Sequence, residues 1–208
     1  MSLEVVKHIS RFDFRQNGYI LSKNGEALII DPGDAPEIFK SKLKKKGLTL
    51  LAILATHGHI DHVYGAAKLC EYYSVPFIMN GQDQAWLDAV EPMCHQFNID
   101  YIGTAKIDKN ILKDTELKIG DFDLKIIHTP GHTPGSVCYL FDDILFSGDT
   151  LFYRSVGRTD LPRSDGNLLR RSIVEKLFVL PKDTKVYPGH MNSTTIKEEI
   201  DHNPFIIL

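Results

Sequence analysis

The stretch Leu50-Leu51-Ala52-Ile53-Leu54-Ala55-Thr56-His57-Gly58-His59-Ile60-Asp61-His62 decides how the rest of the chain is read. Leu50 to Ala55 is a continuous apolar run, the pattern of a strand buried on both faces. It stops abruptly at a segment in which four of six residues can ligate a metal, in the order H-x-H-x-D-H. At an extended strand end, positions i and i+2 point the same way, so His57 and His59 can grip one ion. Gly58 between them allows the backbone to bend closely. Asp61 and His62 follow at a turn into a helix expected over residues 61–73, and face the same cavity from another direction. One tetrahedral ion does not need so many ligands from one segment, so the run suggests two ions side by side.

Working outward, the same grammar repeats. Thr129-Pro130-Gly131-His132 follows a strand ending at Ile127, Gly148-Asp149 follows a strand over residues 144–146, and Pro188-Gly189-His190 follows one over residues 185–187. Each places one ligand-type residue beside a glycine, right after an apolar strand. Strand ends along one sheet edge are where rigid elements aim short loops at a common point. The inventory is His57, His59, His62, His132 and His190 with Asp61 and Asp149. That suits two divalent ions, each histidine neutral and each carboxylate ionised. The chain has nine histidines; His8, His95, His128 and His202 are left as structural or surface residues.

The remaining elements are mixed. Strands over 19–21 and 27–30 flank Lys23-Asn24-Gly25; hairpins are expected about Gly120-Asp121 and Asp142-Asp143. Pro76 to Met79 reads as a further short strand. A helix is expected to start at Asp34-Ala35-Pro36-Glu37 and stop at Gly47, its Lys42, Lys44, Lys45 and Lys46 forming a solvated face. Residues 80–113 are the least regular part, with a short helix around Trp86. Helices are also expected over 167–176, with Leu169, Ile173 and Leu177 inward, and over 194–200. Two β-rich halves, each with helices, suggest two sheets face to face with helices outside. By pattern alone that is α/β or α+β.

Composition excludes several classes. With 208 residues, 43% hydrophobic and 25% charged, the chain can bury a sizeable core. A net charge of -3 gives no electrostatic footprint for nucleic acid or for an anionic membrane. No apolar run approaches a membrane span, and the first ten residues are no secretory signal. Cys70, Cys94 and Cys138 form neither a disulfide framework nor a metal pair, which points to a reduced, cytoplasmic setting. Cys138 is expected in the core; Ser136 and Ser147 are expected to be hydrogen-bonding structural groups.

THGHIDH (56–62), TPGHTPGS (129–136), SGDTLF (147–152) and YPGH (187–190) together resemble the metallo-β-lactamase-fold hydrolases, and within them the short glyoxalase II-like (hydroxyacylglutathione hydrolase-like) branch. GRTD (157–160) and EIDHNPF (199–205) fit that branch too. The resemblance spans nearly the whole chain, read as one catalytic domain over 1–208. It implies an α+β fold, the four-layer αβ/βα sandwich, with the site along one sheet edge. It further implies that His57, His59 and His132 hold one metal, that Asp61, His62 and His190 hold the other, and that Asp149 bridges both. Zinc is the first choice, with iron or manganese as alternatives.

The reaction expected from such a site is hydrolysis of a small-molecule thioester, such as an S-2-hydroxyacylglutathione or a related thiol conjugate, by a metal-bridging hydroxide. Asp61 orients the nucleophile, and with Asp149 forms the catalytic pair. Arg158 is the expected substrate contact, able to take a carboxylate bidentately; a structural pair with Asp160 or Asp165 is the alternative. Tyr153 and Arg154, in the same loop, are further candidate substrate contacts. Asn17 and Tyr19 resemble an early Asn-x-Tyr strand of the family and read as structural. Full glyoxalase II enzymes carry a helical C-terminal domain that grips glutathione, and this chain ends at Leu208 without room for it. The rival reaction is that of the mononuclear-iron persulfide dioxygenases, which resemble the same motifs through counterparts of His57, His132 and Asp149. Lactone hydrolysis and a non-catalytic metal-binding role are further alternatives. A β-lactamase role is disfavoured by Asp61 and Asp149 occurring together without a secretory signal.

Overall fold

The computed structural model describes residues 3–10, 14–34 and 36–206. Strands β1 (Glu4–Ile9), β2 (Asn17–Lys23), β3 (Glu26–Ile30), β4 (Thr49–Leu54), β5 (Phe77–Met79) and β6 (Lys109–Asn110) form one sheet in that order. β1, β2 and β3 pair antiparallel, and β3 to β6 run parallel. The second half supplies β7 (Thr115–Ile119), β8 (Phe122–His128), β9 (Val137–Phe141) and β10 (Ile144–Gly148). A small hairpin, β11 (Leu151–Phe152) and β12 (Ser155–Val156), precedes β13 (Lys185–Pro188) and β14 (Thr194–Thr195). The second sheet has the order β14-β13-β10-β9-β8-β7.

Alternation within single strands builds the layers. Tyr19 and Leu21 of β2 face the second sheet, where they join Leu28, Leu54, Tyr139 and Phe146 in a buried cluster. Ile20, between them, faces the opposite way, onto Phe39 and Leu43 of helix α1 (Pro36–Lys46). The second sheet repeats this. Cys138 and Leu145 turn outward, onto the face covered by Leu169, Ile173 and Leu177. The result is the expected α+β arrangement: helices, sheet, sheet, helices. Phe146 is central to the middle layer, stacked on Tyr187 at 5.6 Å and meeting Tyr19 edge-on at 5.1 Å. Phe146→Ala should cost about 3–5 kcal/mol through the cavity it leaves, read as a lower urea midpoint with an unchanged slope.

Both hairpin expectations in the second half hold, and the turn chemistry explains the first-half one: Asn24 and Gly25 both adopt positive φ (52° and 84°), as a tight hairpin turn requires. Gly47, at φ 62°, ends α1 as expected; the Leu48 and Gly47 amides return to the carbonyls of Leu43 and Lys44. Ala35, in the expected start of that helix, lies outside the described residues.

Four expectations need correction. The helix expected over 61–73 is two helices, α2 (Ile60–Val63) and α3 (Ala66–Tyr73). The Gly65 amide leaves the helical ladder and donates to the Gly33 carbonyl at 2.7 Å, and a Cβ on Gly65 would lie 2.7 Å from that same oxygen. The region 80–113 holds α4 (Gln84–Asp88) around Trp86 as expected, then a second helix, α5 (Val90–Gln96), which the in-sequence Pro92 obscures. The expected helix over 167–176 is α6 (Gly166–Ser172) followed by a π-helical turn (Ile173–Leu177), with Leu169, Ile173 and Leu177 buried. Thr194 and Thr195 pair with β13 instead of opening the last helix; α7 (Ile196–His202) starts after them, with the Thr195 hydroxyl accepting the Glu198 amide.

Candidate metal centre

Strands β3, β4, β8, β10 and β13 all end on one side of the sandwich, and the loops that follow four of them carry the donors. His57 and His59 follow β4. Asp61 and His62 sit on α2. His132 lies in the loop after β8, Asp149 directly follows β10, and His190 comes two residues after β13. The structure brings all seven together. His57 Nε2 and His132 Nε2 each lie 3.0 Å from His59 Nδ1, so three imidazole nitrogens converge. Beside them, Asp61 Oδ2 lies 3.7 Å from His62 Nε2 and 3.4 Å from His190 Nε2. Asp149 stands between the two trios: Oδ1 is 3.4 Å from His62 Nε2, and Oδ2 is 3.5 Å from both His132 Nε2 and His190 Nε2.

Hydrogen bonds behind the cluster fix which nitrogen carries the proton. His132 Nδ1 donates to the Arg158 carbonyl at 2.8 Å, and His190 Nδ1 to the Phe14 carbonyl at 3.1 Å. A carbonyl can only accept, so in the neutral imidazole Nε2 of each presents a lone pair. The Thr56 hydroxyl donates to Asp31 Oδ2 at 2.7 Å and is left to accept from His57 Nδ1 at 3.2 Å. His62 Nδ1 donates to the same Asp31 oxygen at 2.9 Å. This is the outer support that histidine ligands of metals use. His62 Nε2 and Asp149 Oδ1 are buried with no hydrogen-bond partner. Such atoms are costly to bury unsatisfied, and both lie among the converging donors. The donor set therefore fits cations.

The electrostatics agree. Burial, helped by the neighbouring histidines, holds His57 well below the ordinary imidazole range and His59 down at about 3, so both are neutral. Burial also acts against a charged His62, but Asp149, Asp61 and Asp31 outweigh it and push the group well above its ordinary value. Burial would raise Asp149; His62 and His190 instead hold it well below the carboxylate range. At the second trio the carboxylates of Asp61 and Asp149 thus draw positive charge onto His62 and His190, a role that a bound cation can take over from those protons.

Residues that the sequence reading missed hold this geometry. Asp31, buried at φ 49°, takes the Thr56 amide at 2.7 Å as well as the two bonds above. It follows β3 and precedes Pro32-Gly33, the same strand-end, glycine-adjacent placement as the donors, so the signal was present. Asp83 accepts from the Gly58 amide (3.0 Å), the Gly135 amide (2.7 Å) and the Thr133 hydroxyl (2.6 Å). It ties the two histidine loops together, and nothing local in the sequence marks it. Asn17 Nδ2 and the Tyr19 hydroxyl both donate to the Pro188 carbonyl, so their structural reading holds. Cys138 is fully buried, and Ser136 and Ser147 bond to neighbouring loop groups. His8, His95, His128 and His202 belong to none of the donor groups found among the described residues.

A cavity of about 550 Å³ opens over the cluster, lined by His59, Asp61, His132, Asp149 and His190 together with apolar side chains. Arg158 is at this cavity, but its guanidinium makes a bidentate pair with Asp160, both bonds 2.7 Å. The expectation that Tyr153 contacts substrate is corrected: it is not among the residues lining this cavity. It sits at the tip of the β11–β12 hairpin beside Arg154, whose side chain pairs with Glu198.

Gly189 gives a direct test of the packing at the second trio. A Cβ there would lie 2.3 Å from Asp149 Oδ1 and 2.7 Å from His62 Cε1. Gly189→Ala should displace these two groups and weaken ion binding at the second trio by about 10–100-fold, the scale of outer-support losses. Competition with a chromophoric chelator reads it.

An α+β sandwich of this kind with this donor cluster along one edge defines a metallo-hydrolase able to bind divalent metal. Residues 11–190 match the family model described as the metallo-beta-lactamase superfamily, and the chain belongs to that superfamily. It is 39% identical, over 91% of its length and 92% of the relative's, to the probable metallo-hydrolase YqgX of Bacillus subtilis. It is 34% identical, over 99% and 98%, to the hydroxyacylglutathione hydrolase GloC of Haemophilus influenzae. Among solved structures, the BLEG-1 B3 metallo-beta-lactamase superposes with a TM-score of 0.90 at 39% identity, covering 98% of this chain and 99% of that one. TTHA1623 in a di-iron-bound form superposes at 0.86 with 32% identity, covering 97% and 100%. No described helix is long and apolar enough to cross a membrane.

Proposed function

We propose that the protein is a binuclear metal-dependent hydrolase of thioesters, with S-2-hydroxyacylglutathiones and related thiol conjugates as its substrate class. The observation that carries this reading is the arrangement of two donor trios sharing one carboxylate, Asp149. His57, His59 and His132 would hold one ion, and Asp61, His62 and His190 the other. The ions would be zinc, or iron, the metal in the di-iron form of TTHA1623. Bound there, they would supply an activated water and a Lewis acid for the substrate carbonyl.

The protein's own groups do the rest. Burial would raise the Asp61 carboxyl, but His62 and His190 outweigh it and keep it ionised. It can accept a hydrogen bond from the attacking water and hold it in line. The fixed tautomers of His57, His62, His132 and His190 keep the donors from rearranging as charge develops. Water oxygen would bond to the acyl carbon as one of its protons passes by way of Asp61 to solvent, the carbon–sulfur bond would break, and the sulfur would leave as the thiolate without requiring a proton from a protein acid. The GloC relative supports the substrate class.

The BLEG-1 likeness favours a second substrate class, β-lactams, attacked by the same chemistry. Assay of the zinc-loaded protein against an S-2-hydroxyacylglutathione, a chromogenic cephalosporin and, with iron and oxygen-uptake detection, glutathione persulfide separates the readings. The expected result is thioester turnover at least about tenfold above either rival in kcat/KM.

A further inference from the structure

The cavity over the metal cluster has a wall that the proposed hydrolysis does not use. Trp86 of α4, Met93 of α5 and Phe97 beyond it line it, with Phe14, Ile60, Leu161 and Pro162. Trp86 meets the His59 ring edge-on at 4.5 Å, so the apolar surface starts at the donors themselves. At the outer end, Phe14 and Phe97 pack edge-on at 5.2 Å, yet both remain exposed, at 36% and 40%. Large apolar side chains gathered about a concave opening mark a ligand surface more than scattered ones do.

Charge at this wall is already matched. Among the described lining residues the one cation besides the histidines is Arg158, and Asp160 occupies its guanidinium fork. A substrate carboxylate would have to displace Asp160 from that fork or share the guanidinium with it through the remaining Nη1 and Nη2 N–H groups. An uncharged group would only remove apolar surface from water, and that is favourable in proportion to its size.

We infer that the Trp86–Met93–Phe97–Leu161 wall is a binding subsite for an apolar, uncharged substituent of the substrate, so that the protein prefers thioesters carrying an alkyl or aryl group there and leaves any charged thiol-carrier ends outside. This rests on the proposed thioester hydrolysis for its substrate but not for its binding surface, and the two are tested apart.

Trp86 is the only tryptophan in the chain, so its emission reports the cavity directly. Titrating the metal-free protein with S-alkyl thioethers of mercaptoethanol, which cannot be hydrolysed, should shift that emission. The dissociation constant should fall about fourfold per added methylene until the cavity is filled. Phe97→Ser and Leu161→Ser, neither a residue of the buried clusters, should each reduce the gain to about twofold or less per methylene. An ω-carboxylate analogue of equal length should bind at least about tenfold more weakly. A dissociation constant indifferent to chain length, or equal binding of the carboxylate analogue, overturns the subsite. Chain-length-dependent binding without turnover of the matching thioesters by the zinc-loaded protein would instead remove the hydrolase reading and leave the subsite standing.

Discussion

Asp149→Ala should abolish thioester hydrolysis and strip both ions from the protein. Asp149 is the carboxylate that approaches both trios, with Oδ1 toward His62 and Oδ2 toward His132 and His190. On the proposed binuclear reading its removal would take a ligand from each ion, and it takes a negative charge from a buried site in which His62, Asp61 and Asp31 remain. Activity should drop by at least about 10³-fold, the several kcal/mol that metal-ion catalysis supplies. Metal analysis after dialysis should find well under one ion per chain. The substitution should leave the fold intact, because Asp149 packs in none of the three apolar clusters. Two retained ions with full activity would falsify the bridging role.

Asp31→Asn should be the next most damaging change, although Asp31 is no donor to an ion. The carboxylate accepts from the Thr56 amide, the Thr56 hydroxyl and His62 Nδ1. An asparagine has one oxygen for these donors and turns its NH2 toward at least one of them. The hydroxyl of Thr56 then loses its fixed direction and, with it, the hold on His57. His62 loses the acceptor that keeps its proton on Nδ1. The expected result is about 10–100-fold weaker ion binding and about 1–3 kcal/mol lower stability from the unsatisfied buried donor. Chelator competition and urea unfolding in the metal-free state separate the two effects. Unchanged affinity with lowered stability would make Asp31 a folding residue only.

The sequence shows the donors more clearly than it shows what supports them. His57, His59, Asp61 and His62 stand in one run after an apolar strand, and no packing demand asks for four such side chains there. His132, Asp149 and His190 each repeat a strand–glycine–donor pattern that the structure explains as five strands ending on one side. The hairpins were legible because Asn24-Gly25, Gly120-Asp121 and Asp142-Asp143 carry turn chemistry. Strand β1 was not, because an edge strand that is only partly buried shows no clean alternation. The break at Gly65 depends on a contact with Gly33 across the chain, which no local pattern encodes. Asp83 is the extreme case. Its three donors come from residues 58, 133 and 135, far from it in sequence, and only the folded chain assembles them. Arg158 shows the limit in another way. Its type and place in the chain suggest a carboxylate contact, while the fold gives its guanidinium to Asp160 and its carbonyl to His132.

The most direct test of a binuclear thioester hydrolase is a metal titration of the metal-free protein, followed at each point by metal analysis and by the rate of S-2-hydroxyacylglutathione hydrolysis. The two trios and their shared Asp149 predict saturation at two ions per chain, with the rate rising as the second is bound. Saturation at a single ion, with no thioester hydrolysis at any loading, would contradict it.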